Sequence, residues 1–210
     1  MKKRLFAILL AVTMLLAACA AAADPTTVPA RGRWDGDTFL SPFFGLRFDM
    51  PETWDAMTEM ELVEIYWNIG AFLPMANAEL TSDAYEVAEF LGIMDVFAMT
   101  IVDEMESPDK PMGRVAITIM RLSDDMAHMT ALDWLNHLAE EMQEAEEPSV
   151  VRDGTTRIGS LYWYFMDTPD EDLDQRTFVN LEGRFIRVIT IGYTHDEYLN
   201  DILNMFSPYS

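Results

Sequence analysis

Cysteine occurs once among the 210 residues, at position 19, so no disulfide can join two parts of the chain. Histidine occurs three times (His128, His137 and His195). No His-Glu-x-x-His run or Cys/His cluster is present, which excludes a zinc site of recognisable ligand spacing. The ten glycines are dispersed, and none builds a phosphate-cradling loop. Neither a Gly-x-Ser-x-Gly elbow nor a Ser-x-x-Lys motif is found; Ser160 follows Gly159, but Leu161-Tyr162 continues a strand pattern instead of opening a helix. Basic residues number 14 against 36 acidic ones, a net charge of −22. Binding to a phosphate backbone needs clustered cations, so nucleic acid is excluded as a partner. What the chain does have is an apolar half, 50% of its residues, and 11% aromatics. That content can bury a core, and the length suits one domain.

The start of the chain is the most informative stretch. Met1-Lys2-Lys3-Arg4 precedes an almost wholly apolar Leu5–Leu16, followed by Leu16-Ala17-Ala18-Cys19. A basic start before a short apolar run is a secretory signal, and the run is too short for a bilayer-spanning helix of about 20 residues. Leu-Ala-Ala-Cys resembles the lipobox of bacterial lipoproteins. The resemblance implies a signal peptide over 1–18, cleavage before Cys19, and diacylglyceryl transfer to its thiol. More than one acyl chain gives stable anchoring, at about 0.8 kcal/mol per buried CH₂. The expected partner of Cys19 is thus the membrane, and the expected location is the cell envelope, on an extracytoplasmic face. Loss of Lys2, Lys3 and Arg4 leaves 11 basic against 36 acidic residues, a charge of −25 that anionic headgroups repel. Residues 19–33 comprise the lipidated Cys and a small, polar, Pro-containing flexible tether (Pro25, Pro29). Residues 34–210 read as a single domain.

Within that domain Gly45–Met50 alternates apolar and polar residues and stops at Pro51, as a half-buried strand does. Thr58 and Glu61 form a capping box that opens a helix to about Asn68, and Thr81–Leu91 reads as a second, short helix. Met94–Val102 and Gly113–Leu122 are β-branched runs around the polar turn Glu106–Pro111, an antiparallel hairpin. Thr130 and Asp133 cap a helix with one apolar stripe (Ala131, Trp134, Leu135, Leu138, Met142), and Met129 is placed to staple onto Trp134. Four strands follow at Val150–Arg152, Thr156–Asp167, Gln175–Leu181 and Arg184–Tyr193. A third capping box, Thr194 and Glu197, opens a closing helix whose stripe ends at Phe206. Helices distributed among antiparallel strands predict an α+β fold, an antiparallel β-sheet flanked by helices.

Trp34–Trp54 reads W-x-G-x-x-F-x-x-x-F-F-G-L-x-F-x-M-P-x-x-W. With Gly183-Arg184-Phe185-Ile186 and the Tyr198–Phe206 segment, it resembles a group of secreted bacterial lipoproteins of uncharacterised role. In element order the chain is similar to the PsbP-like α-β-α sandwich, named for an extrinsic photosystem II protein. The resemblance implies that fold and a non-catalytic role, with no catalytic residue and no cofactor to carry over.

The candidates for chemistry are few. The three histidines read as surface or core residues. The acidic run Asp167–Asp174 offers oxygen ligands for Ca²⁺ but lacks EF-hand spacing, so it also reads as a solvated loop. Met126-Ala127-His128-Met129 offers soft ligands for Cu(I), although methionines such as Met99, Met120, Met142 and Met205 read as gap-filling core. Tyr162-Trp163-Tyr164 is the candidate ligand-binding set. Strand alternation puts Tyr162 and Tyr164 on one face and Trp163 and Phe165 on the other, which yields an aromatic groove for a peptide or glycan if one face is partly open, or plain core if both are covered. Trp34, Phe43 and Phe44 read as packing at the end of the domain. The expected function is that of a cell-envelope lipoprotein: a binding module, not an enzyme, for an envelope protein or small ligand. The alternatives are a carboxylate-dependent envelope hydrolase and an extracytoplasmic metal-binding protein.

Overall fold

The computed structural model describes residues 29–68, 93–101, 111–144, 149–170 and 173–209. The expected signal peptide and Cys19, the helix expected at Thr81–Leu91, most of the Glu106–Pro111 turn, and Glu171 and Asp172 lie outside the described residues.

Eight strands form one antiparallel sheet: β4 (Trp54–Ala56), β5 (Ile93–Thr100), β6 (Gly113–Arg121), β7 (Val150–Val151), β8 (Thr156–Ile158), β9 (Leu161–Thr168), β10 (Asp174–Glu182) and β11 (Phe185–Tyr193). Their order is β4-β5-β6-β11-β10-β9-β7, with β8 paired to β9. The expected hairpin is β5–β6, and β10–β11 turns tightly at Gly183 so that Glu182 faces Phe185. A second, four-stranded antiparallel sheet has the order β1 (Arg33–Asp35), β2 (Thr38–Ser41), β3 (Leu46–Asp49), β12 (Phe206–Pro208). The helices are α1 (Glu59–Asn68), α2 (Ala131–Glu144) and α3 (Asp196–Leu203). The fold is α+β, an antiparallel sheet with helices on both faces.

Each face of the large sheet has its own core. Ile117 and Ile119 of β6, Trp163 of β9, Phe178 of β10 and Ile189 and Ile191 of β11 join Phe39, Leu46 and Phe48 of the small sheet, Phe44 of its β2–β3 turn, Leu62 of α1, and Leu199 and Ile202 of α3. The opposite face puts Met120, Met166, Val179, Ile186 and Val188 against Trp134, Leu135, Leu138 and Met142 of α2. Two sheets press flat side chains together, which suits rings: Phe44 stacks on Trp163 of β9 at 6.1 Å, and Phe48 of β3 meets Trp54 of β4 edge-on at 6.5 Å. A helix on a sheet leaves irregular gaps, which flexible Met fills.

Two capping boxes are as expected. Thr58 N donates to Glu61 Oε2 at 2.7 Å while Glu61 N donates to Thr58 Oγ1 at 3.4 Å. Thr130 and Asp133 exchange the same pair at 2.9 and 3.2 Å. The third box does not form: the N-cap of α3 is His195, without a side-chain cap, and Thr194 Oγ1 instead accepts from Met112 N at 3.2 Å. Helix α3 also stops at Leu203, because Phe206 is taken by β12 to pair with Phe48 of β3.

Thr156–Asp167 is not one strand. Gly159, at φ +60°, turns β8 back so that Ile158 faces Leu161. The turn abuts Gly45, at φ +61°, whose carbonyl oxygen accepts from Ser160 N (3.1 Å), Ser160 Oγ (2.9 Å) and Tyr209 N (3.2 Å), joining the two sheets. A Cβ on Gly45 would lie 2.4 Å from Ser160 Oγ. The hairpin β1–β2 turns at Gly36-Asp37, closed by the Asp35–Thr38 pair, with Gly36 at φ +60°.

Candidate functional site

Strand β9 carries the three aromatic residues singled out from the sequence. Tyr162 stands in solvent, 63% exposed. Trp163 is fully buried on the opposite face, stacked on Phe44, with Nε1 donating to Ile158 O at 3.1 Å. Tyr164 is half-buried against the α2-side core. Alternation therefore separates them, and no single surface holds all three. The rings expected to pack at the domain end do so: Phe44 is fully buried, and Trp34 and Phe43 lean on the same core.

At the end of the same ladder Asp167 of β9 faces Arg176 of β10. Arg176 grips both carboxylate oxygens, Nε to Oδ1 at 2.5 Å and Nη2 to Oδ2 at 3.1 Å, and Arg152 Nε adds a bond to Oδ2 at 2.7 Å. The guanidinium of Arg176 also lies 4.9 Å over the Phe165 ring. Burial pushes the Asp167 carboxyl up, but the two arginines outweigh it and hold it below the ordinary carboxylate value. This first acid of the proposed Ca²⁺ loop is thus occupied by cations.

A second arginine site lies on β11. Arg187 is buried, sits 4.5 Å over the Phe43 ring, donates Nη1 to Asn180 Oδ1 at 2.5 Å and pairs with Glu182. Burial lowers its pKa to about 10. Its Nε meets no acceptor among the described residues. Asp95 of β5, buried in an apolar strand, holds Arg31 through Nε at 2.8 Å. Sequence patterning passed over both residues. A lone charge inside Ile93–Ala98, or inside Phe185–Tyr193, was the available signal.

Other acids serve as caps: Glu61 and Asp133 are held low by the hydrogen bonds of Thr58 and Thr130. His128 is exposed, His137 lies 3.3 Å from Glu141, and His195 Nδ1 contacts the Thr194 carbonyl oxygen at 2.6 Å. Met126 is core and Met129 packs beside it, whereas Met99, expected in the core, is 39% exposed. Strand β5 presents Met99 opposite Arg114 and Asp55, on a part of the sheet that α2 leaves uncovered. Among the described residues no three His, Cys, Asp or Glu side chains gather as a metal site, and no helix is long and apolar enough to cross a membrane.

No family model matches the chain, and no curated protein matches it. Among solved structures it is similar to cyanobacterial PsbP (CyanoP) from Synechocystis sp. PCC 6803, a solution structure. The identity is 9%, over 90% of this chain and 98% of that one, with a TM-score of 0.43.

Proposed function

We propose that this chain is an extracytoplasmic lipoprotein: a binding module held at a membrane face by acyl chains on Cys19, with no chemistry of its own. The observation that carries the reading is the position of the sole cysteine, directly behind Leu16-Ala17-Ala18 and a basic, then apolar, leader. The arrangement of the acids is compatible with it, since Asp95 and Asp167 are engaged by arginines and Glu61 and Asp133 by caps. A partner, an envelope protein or a small ligand, would meet Tyr162, the exposed ring of the β9 run, while Trp163 supports the strand from behind.

The test is the N-terminus of the protein in its producing cell. Mass spectrometry finds a mature chain beginning at an acylated Cys19, and Cys19→Ser yields an unacylated chain that keeps residues 1–18. A free thiol with the leader attached overturns the reading.

A further inference from the structure

Strand β5 is apolar and buried from Ile93 to Ala98 with one exception, Asp95, whose side chain is 1% exposed. The register shows how it arises. Met94 faces Thr118 and Val96 faces Ile117, so Asp95 is the extra residue of a β-bulge, and a bulge re-aims a side chain. An unpaired buried carboxylate is costly. Here Oδ1 accepts from Arg31 Nε at 2.8 Å and Oδ2 from Gly32 N at 3.0 Å. Among the described residues the other polar contacts of Arg31 are long: Nη1 lies 3.4 Å from Glu59 Oε1, and Nη2 lies 3.5 Å from the Met94 carbonyl oxygen. Gly32 lies flat on the Phe39 ring, where an added Cβ would come within 2.0 Å of Cζ, and Pro29 is buried. Residues 29–32 belong to neither sheet.

We propose that Arg31 and Gly32 form a latch, a strap closed onto the Asp95 carboxylate at β5, whose opening detaches residues 29–32 while both sheets stay folded. Four released residues add about 13 Å of extended chain. The bulge is there to aim one carboxylate at the strap, and glycine stands at 32 because the ring beneath leaves no room for a side chain. The consequence for reach from a membrane rests on the anchored reading; the latch itself does not.

Limited trypsin digestion of the purified full chain, acylated or not, reads the Arg31–Gly32 bond directly by mass of the released fragment. At neutral pH the wild-type bond is cut slowly. Asp95→Asn, which removes the charge, and Gly32→Ala, which lifts the strap off Phe39 and leaves the charge in place, each speed cutting at least tenfold with the melting transition still cooperative. Glu59→Gln changes the rate less than twofold. Wild-type cutting as fast as in the variants overturns the latch. So does cutting that rises only in step with global unfolding. If Asp95→Asn fails to fold, Gly32→Ala alone decides between these outcomes.

Discussion

Asp95 and Asp167 sit on the same sheet, each bonded to arginine, yet their surroundings act on them in opposite directions. Asp167, at the ladder end of β9, keeps some exposure and has two guanidinium partners, which together hold its pKa low. Asp95, in the β5 bulge, has one guanidinium and one backbone N–H, and burial there outweighs Arg31 and raises its pKa. The same pairing is therefore a brace in one place and a contact of small margin in the other. Partner number and water access decide which, not the identity of the acid.

The expected effects sharpen this contrast in decreasing order. The β9 region is braced first by apolar packing, so Trp163→Ala, which empties the space against Phe44, costs about 3–5 kcal/mol in urea unfolding. Asp167→Asn leaves Arg176 half-buried without its anion and costs about 2 kcal/mol at pH 7. That deficit depends on acid: the wild-type advantage is full above pH 3.8 and is lost as pH falls through the lowered native pKa of Asp167. Asp95→Asn changes stability by less than about 1 kcal/mol at pH 7, because loss of the Arg31 bond offsets relief of the buried charge.

The pH arm for Asp95 runs the other way. Its native pKa lies above the unfolded value of 3.8, so between the two the native state holds more protons. Wild type then gains on Asp95→Asn as pH falls through that window. Melting curves of both variants from pH 7 to 3 check the opposed slopes; parallel curves break the comparison. The smallest effect is at Tyr162, where Tyr162→Ala shifts stability by less than about 0.5 kcal/mol.

Much of the architecture was legible from pattern. The β5–β6 hairpin, the strands β10 and β11 and the helix α2 follow from β-branched runs, Gly183 and the Thr130–Asp133 box, all interactions between residues near in sequence. Misreadings arose where a distant residue took a group away. Thr194 looks like an N-cap until Met112 N claims its hydroxyl. Phe206 continues a helical stripe until β3 offers an unpaired edge. Gly159 sits inside an alternating run, and its turn is fixed by contact with Gly45 and Leu46. Of the candidate site, alternation alone placed Tyr162 and Trp163 on opposite faces, but which face is open depends on what covers it.

By itself the sequence determined the local vocabulary of this protein: a basic, then apolar first stretch with the sole cysteine behind it, the periods of its strands and helices, two helix caps and an excess of acid. These depend on neighbours a few residues apart. Tertiary structure alone decided that a small aromatic sheet closes one face, that Trp163 is core while Tyr162 meets water, and that a carboxylate in an apolar strand waits for Arg31, 64 residues away. Burial and charge pairing are properties of position in space, and local order along the chain does not encode them.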